Sequence, residues 1–176
     1  MRGTTRSLSN FAQKKEEGNM KVIFLDFDGV ITTLKSKWHI DLKKCVIVKD
    51  ICDATGAKIV ISSSWRRYSL EQTIKAITDE ERAFSNPPFP IPEYVIDITS
   101  RMYGFKHGER EKHYGLQRGN EIDRWLSEHG DVTHYVILDD ESDMLLCQKD
   151  NFIQTDSTRG INEGDKEKAI LILNRK

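Results

Sequence analysis

Two aspartates separated by a single residue, Asp26 and Asp28, form the most informative pattern in this chain. They follow the apolar run of residues 22–25 and are closed by Gly29. Residues two apart on an extended chain point the same way, so the two carboxylates can face one small space. Carboxylates this close repel each other unless a cation lies between them or one of them is protonated. The pair therefore predicts a metal site or acid–base chemistry.

The residues on either side of this pair are typical of the end of a buried strand. A continuous apolar run predicts a strand covered on both faces of a parallel sheet, and open α/β sheets bind ligands beyond the carboxyl ends of their strands. Gly29 permits a sharp turn there. An EF-hand calcium loop is excluded, because Val30 and Ile31 occupy positions where such a loop needs further oxygen ligands.

Polar residues also follow two other predicted strands. Residues 59–61 lead into three serines, and residues 134–138 lead into a group of acids. Parallel strands end along one edge of their sheet, so we expect these groups to converge with the first pair. The converging residues are Asp26, Asp28, Ser62, Ser63, Ser64, Asp139, Asp140 and Asp143.

So many converging carboxylates require a positive charge. No cysteine or histidine cluster has metal-ligand spacing, so a cation that prefers oxygen ligands, Mg²⁺, is expected. A carboxylate, Mg²⁺, a hydroxyl donor and a basic residue together suit phosphoryl transfer. In that chemistry a carboxylate can attack phosphorus and form an aspartyl-phosphate.

The elements that position these groups alternate between strand and helix. Helices are predicted at residues 41–56, 69–78, 119–130 and 164–173, and further strands at residues 93–100 and 151–155. Such alternation predicts right-handed βαβ units in a three-layer α/β/α sandwich, with a mostly parallel, Rossmann-like sheet of about five strands. The strand order stays open.

The remaining segments predict one domain with little covering it. Residues 1–19 are polar and are expected to be a disordered leader or tag, and residues 20–176 a single domain. Residues 85–92 contain all four prolines and residues 101–118 are predicted to be irregular. The latter interleave basic and aromatic residues that either contact a phosphorylated substrate or pack on the domain. The region 85–117 is expected to supply at most a modest lid, hence a minimal cap.

Composition limits the possible partners. There are 27 Lys and Arg against 28 Asp and Glu, a net charge of −1, which argues against a protein that coats nucleic acid or an acidic membrane. No apolar run approaches the roughly 20 residues needed to span a bilayer. The three cysteines lack a paired motif and are expected to be reduced and largely buried, without a zinc site. A cytoplasmic protein with no membrane partner and no obligate protein partner is expected.

Four short motifs resemble those of the haloacid dehalogenase (HAD) superfamily of phosphohydrolases. The sequence DFDGV resembles motif I, IVISSS resembles motif II, Arg118-Gly119 before a helix resembles motif III, and VILDDESD resembles motif IV. The resemblance covers about residues 20–173, with the motifs in the family's order. More narrowly, the runs ISSSWR, RGNEIDRWL, VILDDESDM and IQTDSTRGIN look like a small-capped branch that includes domains associated with RNA-repair proteins.

The resemblance implies a role for each motif residue. Asp26 would be the nucleophile and Asp28 the general acid and base. Ser63, or Ser62 in the alternative register, would bind the phosphoryl group together with Arg118. The implied metal ligands are Asp26, the backbone carbonyl of Asp28, Asp139 and either Asp140 or Asp143. The implied substrate-binding residues are Ser62, Ser64, Gly29 and Arg66.

Several of these assignments have a simpler alternative. The serines are equally typical of residues that cap a turn, and Asp143 suits the first turn of a helix capped by Ser142. Lys106 and Lys112 lie in the same irregular segment as Arg118 and can replace it as the basic group. Trp65 and Arg66 follow motif II and could line the site. The alternative for Trp65 is a position in the core.

Two functions follow from this set of residues. The first is a Mg²⁺-dependent phosphatase that works through an aspartyl-phosphate, with a nucleic-acid end or a nucleotide phosphate as candidate substrates. The alternative is a phospho-ligand-binding or regulatory module that has kept the pocket but has negligible turnover. The presence of both motif I aspartates favours the phosphatase.

Overall fold

The chain folds around one parallel sheet. A computed structural model describes residues 19–79, 87–105, 113–115 and 117–176, with residues 103–105 and 113–115 described by their backbone alone. Its strands are β1 (Met20–Leu25), β2 (Lys58–Ile61), β3 (Val95–Ile98), β4 (Tyr103–Phe105), β5 (His113–Gly115), β6 (Val132–Asp139) and β7 (Phe152–Gln154). Five of them form the sheet in the order β3-β2-β1-β6-β7, and every neighbouring pair is parallel.

Four helices cover the two faces of this sheet. They are α1 (Leu42–Thr55), α2 (Leu70–Thr78), α3 (Arg118–Glu128) and α4 (Glu163–Leu173), and short 3₁₀ turns span Pro92–Tyr94 and Leu146–Asn151. Apolar residues of α1, α2 and α4 pack in the core on one face, and those of α3 pack in a separate core on the other. The predicted three-layer, Rossmann-like α/β/α fold is confirmed.

The central strand β1 contributes to both cores by simple alternation. Ile23 and Leu25 belong to the core under α1 and α4, and Val22 and Phe24 belong to the core under α3. All four side chains are fully buried. Successive residues of a strand point to opposite faces, so a strand covered on both sides must be apolar throughout, as this one is.

The helix ends follow the capping pattern of the sequence. The Asp41 side chain accepts a hydrogen bond from the Lys43 amide at the start of α1, and Gly56 ends the helix at a φ of 74°. Ser69 caps α2 by accepting from the Gln72 amide. Helix α3 begins at Arg118, one residue before the predicted start, so Arg118 belongs to its first turn.

Two expectations need correction. The segment 101–118 is not wholly irregular, because β4 and β5 pair as an antiparallel ribbon. The cysteines are all free, but Cys147 is exposed, unlike Cys45 and Cys52. Residues 1–18 of the predicted leader, and Lys106 and Lys112 as alternative cations, lie outside the described residues. The lid and the domain boundaries stay predictions.

None of the helices in the described part of the chain has the length and apolar character that a bilayer span requires.

We predict that Asp41→Ala lowers the free energy of unfolding by about 1 kcal/mol, because the Lys43 amide loses its only capping acceptor at the start of α1. Urea denaturation followed by circular dichroism measures the change. Lys43→Ala, an exposed change in the same turn, is the control and should stay within about 0.5 kcal/mol of the parent. Equal stability of the parent and Asp41→Ala would contradict the capping role.

Candidate active site

The hydrogen-bond ladder of the sheet continues past the strand ends and aligns the candidate site residues. The Asp26 amide donates to the Leu138 carbonyl at 3.0 Å, and the Ser62 amide donates to the Leu25 carbonyl at 3.1 Å. Asp139 is the last residue of β6. Asp26, Ser62 and Asp139 therefore occupy neighbouring positions along the carboxyl edge of the sheet, where such sheets bind ligands.

Three carboxylates meet at this edge. One oxygen each from Asp26, Asp139 and Asp140 lies within 4.8 Å of the other two. Asp139 is fully buried. Its Oδ1 accepts from the Glu141 amide at 3.0 Å, whereas its Oδ2 accepts no hydrogen bond from any described residue. A buried oxygen without a donor is costly, and an all-oxygen set of this kind suits Mg²⁺. The residues present fit a hard divalent cation.

The turn after β1 packs directly on one of these acids. Gly29 has a φ of 72°, and a Cβ built there would lie 2.1 Å from Cγ of Asp140. The Thr155 hydroxyl donates to the Gly29 carbonyl at 2.8 Å and fixes the turn from the far side. Only glycine fits this position, because it needs both the left-handed backbone and the space. Gly29 therefore leaves room for Asp140 in the three-acid cluster.

Asp28 lies apart from the three-acid cluster. Its carboxylate accepts from Trp65 Nε1 at 3.0 and 3.1 Å, from the Thr32 hydroxyl at 2.8 Å and from Ser64 Oγ at 3.4 Å. The Asp28 carboxylate is therefore not one of the three clustered acids, although its charge adds to burial in raising the pKa of Asp26 and of Asp140.

The cause of this separation is the backbone, which leaves the extended conformation after β1. The amides of Ile31 and Thr32 both donate to the Phe27 carbonyl, at 2.9 and 2.8 Å. Residues 27–32 therefore form a tight turn, and the rule that residues two apart share a direction holds only along a strand.

The guanidinium of Arg118 lies against two of the buried acids. Nη1 of Arg118 lies 3.4 Å from Oδ1 of Asp26, and its Nε lies 3.6 Å from Oδ2 of Asp139. The same Nη1 donates to the Ser62 carbonyl. The side chain is 17% exposed, so it reaches the cluster from the first turn of α3 with little contact with solvent.

Asp143 holds the start of α3 in place. Its Oδ2 accepts from the Arg118 amide at 2.8 Å, and its carbonyl accepts from the Gly119 amide at 3.3 Å. A carboxylate at a helix N-terminus is favoured by the free amides and the helix dipole. Asp140, not Asp143, joins the three-acid cluster. The helix that Asp143 caps is α3 and not one after Ser142, because only the 3₁₀ turn Leu146–Asn151 follows.

The three serines have three different surroundings. Burial raises the pKa of Asp26, and a hydrogen bond with the Ser63 hydroxyl partly offsets that rise. The same hydroxyl accepts from the Trp65 amide at 3.3 Å. The Ser62 hydroxyl is buried and has no hydrogen-bond partner among the described residues. Ser64 turns to Asp28. The geometry thus places Ser63 beside the proposed nucleophile.

Arg66 lies beneath the serine loop, away from the three acids. It is 4% exposed. Its guanidinium donates to the Ser62 carbonyl, to the Ser63 carbonyl at 2.7 Å and to Glu121. Its Nη1 and Nη2 atoms are thus engaged with the loop and with Glu121, whereas its Nε has no hydrogen-bond partner among the described residues. A role of Arg66 in substrate binding stays a prediction.

Glu121 is the partner that the sequence analysis missed. Its second oxygen accepts from the Met102 amide at 2.9 Å, so it ties the serine loop to the segment after β3. The available signal was a charged residue on the apolar face of α3, next to the buried Ile122. Buried charges are rare unless they are paired.

Electrostatics in the cluster favour protonated acids when no metal is bound. Burial raises the pKa of Asp26, against the opposing effect of Arg118. Burial, together with the charge of Asp26, raises the pKa of Asp139 to about 7, and the same two causes raise the pKa of Asp140. Burial alone would lower the pKa of Arg118, but Asp26 and Asp139 outweigh it and keep the guanidinium charged.

Asp26 after β1, Asp139 at the end of the adjacent strand β6 and Arg118 at the start of α3 agree with the HAD resemblance. The family model described as the HAD domain in Swiss Army Knife RNA repair proteins matches residues 22–165. The chain belongs to this family, which confirms the resemblance and supports phosphohydrolase activity in general. A comparison with curated proteins and one with solved structures each found no match.

We predict that Gly29→Ala destabilises the protein by more than Gly56→Ala does. Both glycines have a φ above 70°, so each substitution carries the left-handed strain of about 1–2 kcal/mol. Only at position 29 does the new Cβ collide with another group, since nothing lies within 4 Å at Gly56. Urea denaturation measures both. Equal losses would show that the contact with Asp140 is unimportant.

We predict that Mg²⁺ raises the melting temperature more at pH 8 than at pH 6. The pKa of Asp139 lies near 7 in the folded protein, so the metal must displace a proton at pH 6 and finds a carboxylate at pH 8. A raised folded-state pKa also means that the metal-free protein loses stability as pH rises from about 4 to 7. Differential scanning calorimetry with and without Mg²⁺ measures both trends.

The matched control for this pH dependence is Asp139→Asn, in which the difference between pH 6 and pH 8 should shrink. An equal Mg²⁺ shift at the two pH values in the parent protein would contradict the prediction.

Proposed function

We propose that the protein is a Mg²⁺-dependent phosphomonoesterase in which Asp26 attacks the phosphoryl group. The observation that carries this proposal is the different placement of the two motif I acids. Asp26 lies in the three-acid cluster beside Arg118, whereas Asp28 is held outside it by Trp65 and Thr32. Separate surroundings permit separate roles, one as nucleophile and one as proton carrier.

The residues that would hold Mg²⁺ are Asp26, Asp139 and Asp140. Asp143 Oδ1 is buried without a hydrogen-bond partner among the described residues, so it can accept from a water on the metal. When bound, Mg²⁺ would neutralise charge on the transferring phosphoryl group and its attacking oxygen.

Asp26 and Asp28 then take part in two successive displacement reactions at phosphorus. In the first, an Asp26 oxygen attacks phosphorus and the bond from phosphorus to the ester oxygen breaks, while Asp28 gives its proton to the leaving oxygen. In the second, water attacks the aspartyl-phosphate and gives a proton to Asp28. Inorganic phosphate leaves and the Asp26 carboxylate is restored. The proton count is balanced over the cycle.

Arg118 and Ser63 hold the phosphoryl group in this scheme. Arg118 already lies 3.4 Å from Asp26, so its guanidinium can bind phosphoryl oxygens next to the attacking atom. Ser63, which contacts Asp26, supplies a hydroxyl donor. Ser62 and Ser64 contribute by shaping the loop after β2, and the Ser62 carbonyl accepts a hydrogen bond from Arg118. Arg66 is a positioning residue for this loop.

The substrate class we propose is a phosphorylated nucleic-acid end, with a nucleotide phosphate as its smallest form. The matching family is described by its occurrence in RNA repair proteins, and phosphate ends are a natural target of such proteins. The three free cysteines are consistent with a cytoplasmic site of action.

We predict that Asp26→Asn reduces Mg²⁺-dependent hydrolysis of an aryl phosphate by on the order of a thousandfold or more, because the nucleophile is lost. Asp28→Asn should cost about 10²–10⁴-fold, the range expected for general acid–base catalysis. Phosphate release measures both. Asp53→Asn, on the exposed surface of α1, is the control and should match the parent.

Turnover that survives in Asp26→Asn would exclude Asp26 as the nucleophile. A parent protein that binds phosphate analogues with Mg²⁺ but hydrolyses neither the aryl phosphate nor a panel of phosphorylated RNA, DNA and nucleotides would favour the regulatory-module alternative.

A further inference from the structure

A cavity of about 630 Å³ lies at the β3 edge of the sheet, and none of the three clustered acids lines it. The loop after β2, the residues after β3 and the last turn of α3 line it. The Thr99 amide donates to the Ile61 carbonyl at 3.0 Å, so Thr99 extends the same carboxyl edge that carries Asp26. Strand β3 is two positions from β1, which puts Thr99 about 10 Å from Asp26 along the edge.

Two buried polar groups of the cavity lining have no partner. Thr99 is 1% exposed and Arg66 is 4% exposed, and neither Thr99 Oγ1 nor Arg66 Nε has a hydrogen-bond partner among the described residues. A buried donor left unsatisfied is unfavourable, and such groups in native proteins call for an explanation. A ligand with polar acceptors in the cavity would satisfy both.

The unpaired charges of the cavity are positive. Arg67 and Arg101 line it, and no described carboxylate pairs with either. Arg101 donates to the carbonyls of Ser64 and Arg66 at 2.8 and 3.1 Å, so it joins the cavity to the serine loop of the active site. Burial lowers the pKa of Arg66. The paired carboxylate of Glu121 opposes this effect, and the charges of Arg118 and Arg101 add to it. This crowding of cations favours an anionic ligand.

The two acids of the lining are already engaged. Asp97 accepts from Trp125 Nε1 at 2.7 Å, and Glu128 accepts from Arg124 Nε at 3.1 Å. Arg124 therefore offsets the charge of Glu128. The indole N–H of Trp125 carries no charge, so Arg67 and Arg101 are set against the single carboxylate of Asp97 in the lining.

Aromatic rings complete the cavity. Tyr68 lines it with its side chain almost entirely exposed, at 99%. His129 stacks on Trp125 with ring centroids 3.7 Å apart and an angle of 9° between the planes, which leaves its other face free for a further ring. Tyrosine and histidine are residues on which unpaired bases stack.

We propose that this cavity binds the nucleotide next to the terminal phosphate of a single-stranded nucleic acid. The base stacks on Tyr68 or His129, and the backbone phosphate binds Arg67 and Arg101. Thr99 Oγ1 and Arg66 Nε–H hydrogen-bond the sugar or phosphate oxygens. The inference rests on the proposed function, because it assumes that the phosphorylated end of the nucleic acid reaches Asp26.

The test is binding of a fluorescently labelled, ten-nucleotide single-stranded RNA with a terminal phosphate. The full chain carries Asp26→Asn to prevent turnover, and Mg²⁺ is present. Adding Arg67→Gln with Tyr68→Ala should weaken binding at least about tenfold, and should reduce the slope of log affinity against log salt by about 0.7 for the lost phosphate contact. The control pair is Lys168→Gln with Leu171→Ala, on the exposed face of α4, which should leave both values unchanged.

Two further variants separate a ligand contact from a structural effect. Arg67→Lys with Tyr68→Phe should restore the salt slope and most of the affinity, because charge and ring are kept. Thr99→Val removes a hydroxyl that has no hydrogen-bond partner among the described residues, so it should weaken RNA binding without lowering the melting temperature.

Unchanged affinity and slope in Arg67→Gln/Tyr68→Ala would overturn the proposal, as would displacement of the RNA by a phosphoserine peptide with equal efficiency. Neither result bears on aryl phosphate hydrolysis by the unaltered protein. A failure of the cavity assignment and a failure of the phosphatase assignment are therefore separate outcomes.

Discussion

The balance of charge at the carboxyl edge is the constraint on which the rest of the site depends. Two almost fully buried acids, Asp26 and Asp139, share their space with Asp140, and one guanidinium cannot neutralise all three. Burial therefore pushes their pKa values upward. Arg118, which contacts Asp26 and Asp139, offsets part of this unfavourable concentration of charge.

Local sequence patterns carried most of the fold. The apolar run of β1 alternates between two cores, as residues buried on both faces must, and Asp41 and Ser69 begin the helices that they were predicted to cap. These features depend on residues within a few positions of each other. The strand order does not, and neither does the ribbon of β4 and β5, whose pairing joins short segments with no apolar repeat.

The sequence predicted which residues form the site better than it predicted how their side chains are oriented. The strand ends place Asp26, Ser63 and Asp139 along one edge, as the sequence predicted, and Arg118 was expected from the resemblance to motif III. The side chain of Asp28 leaves the cluster because the backbone turns after β1, and Arg66 is drawn inward by Glu121, a residue 55 positions away. Side-chain direction in a turn and pairing between distant segments depend on the finished packing, so spacing alone could not specify them.

The contact between Asp143 and the first turn of α3 has a consequence for how such a site can vary. Asp143 binds the main-chain amide of Arg118, and every residue except proline offers that amide. The position of the helix start is thus independent of which side chain stands at 118. Evolution could therefore replace Arg118 by another cationic residue without moving the start of α3. The anchoring of this position and its charge can vary independently.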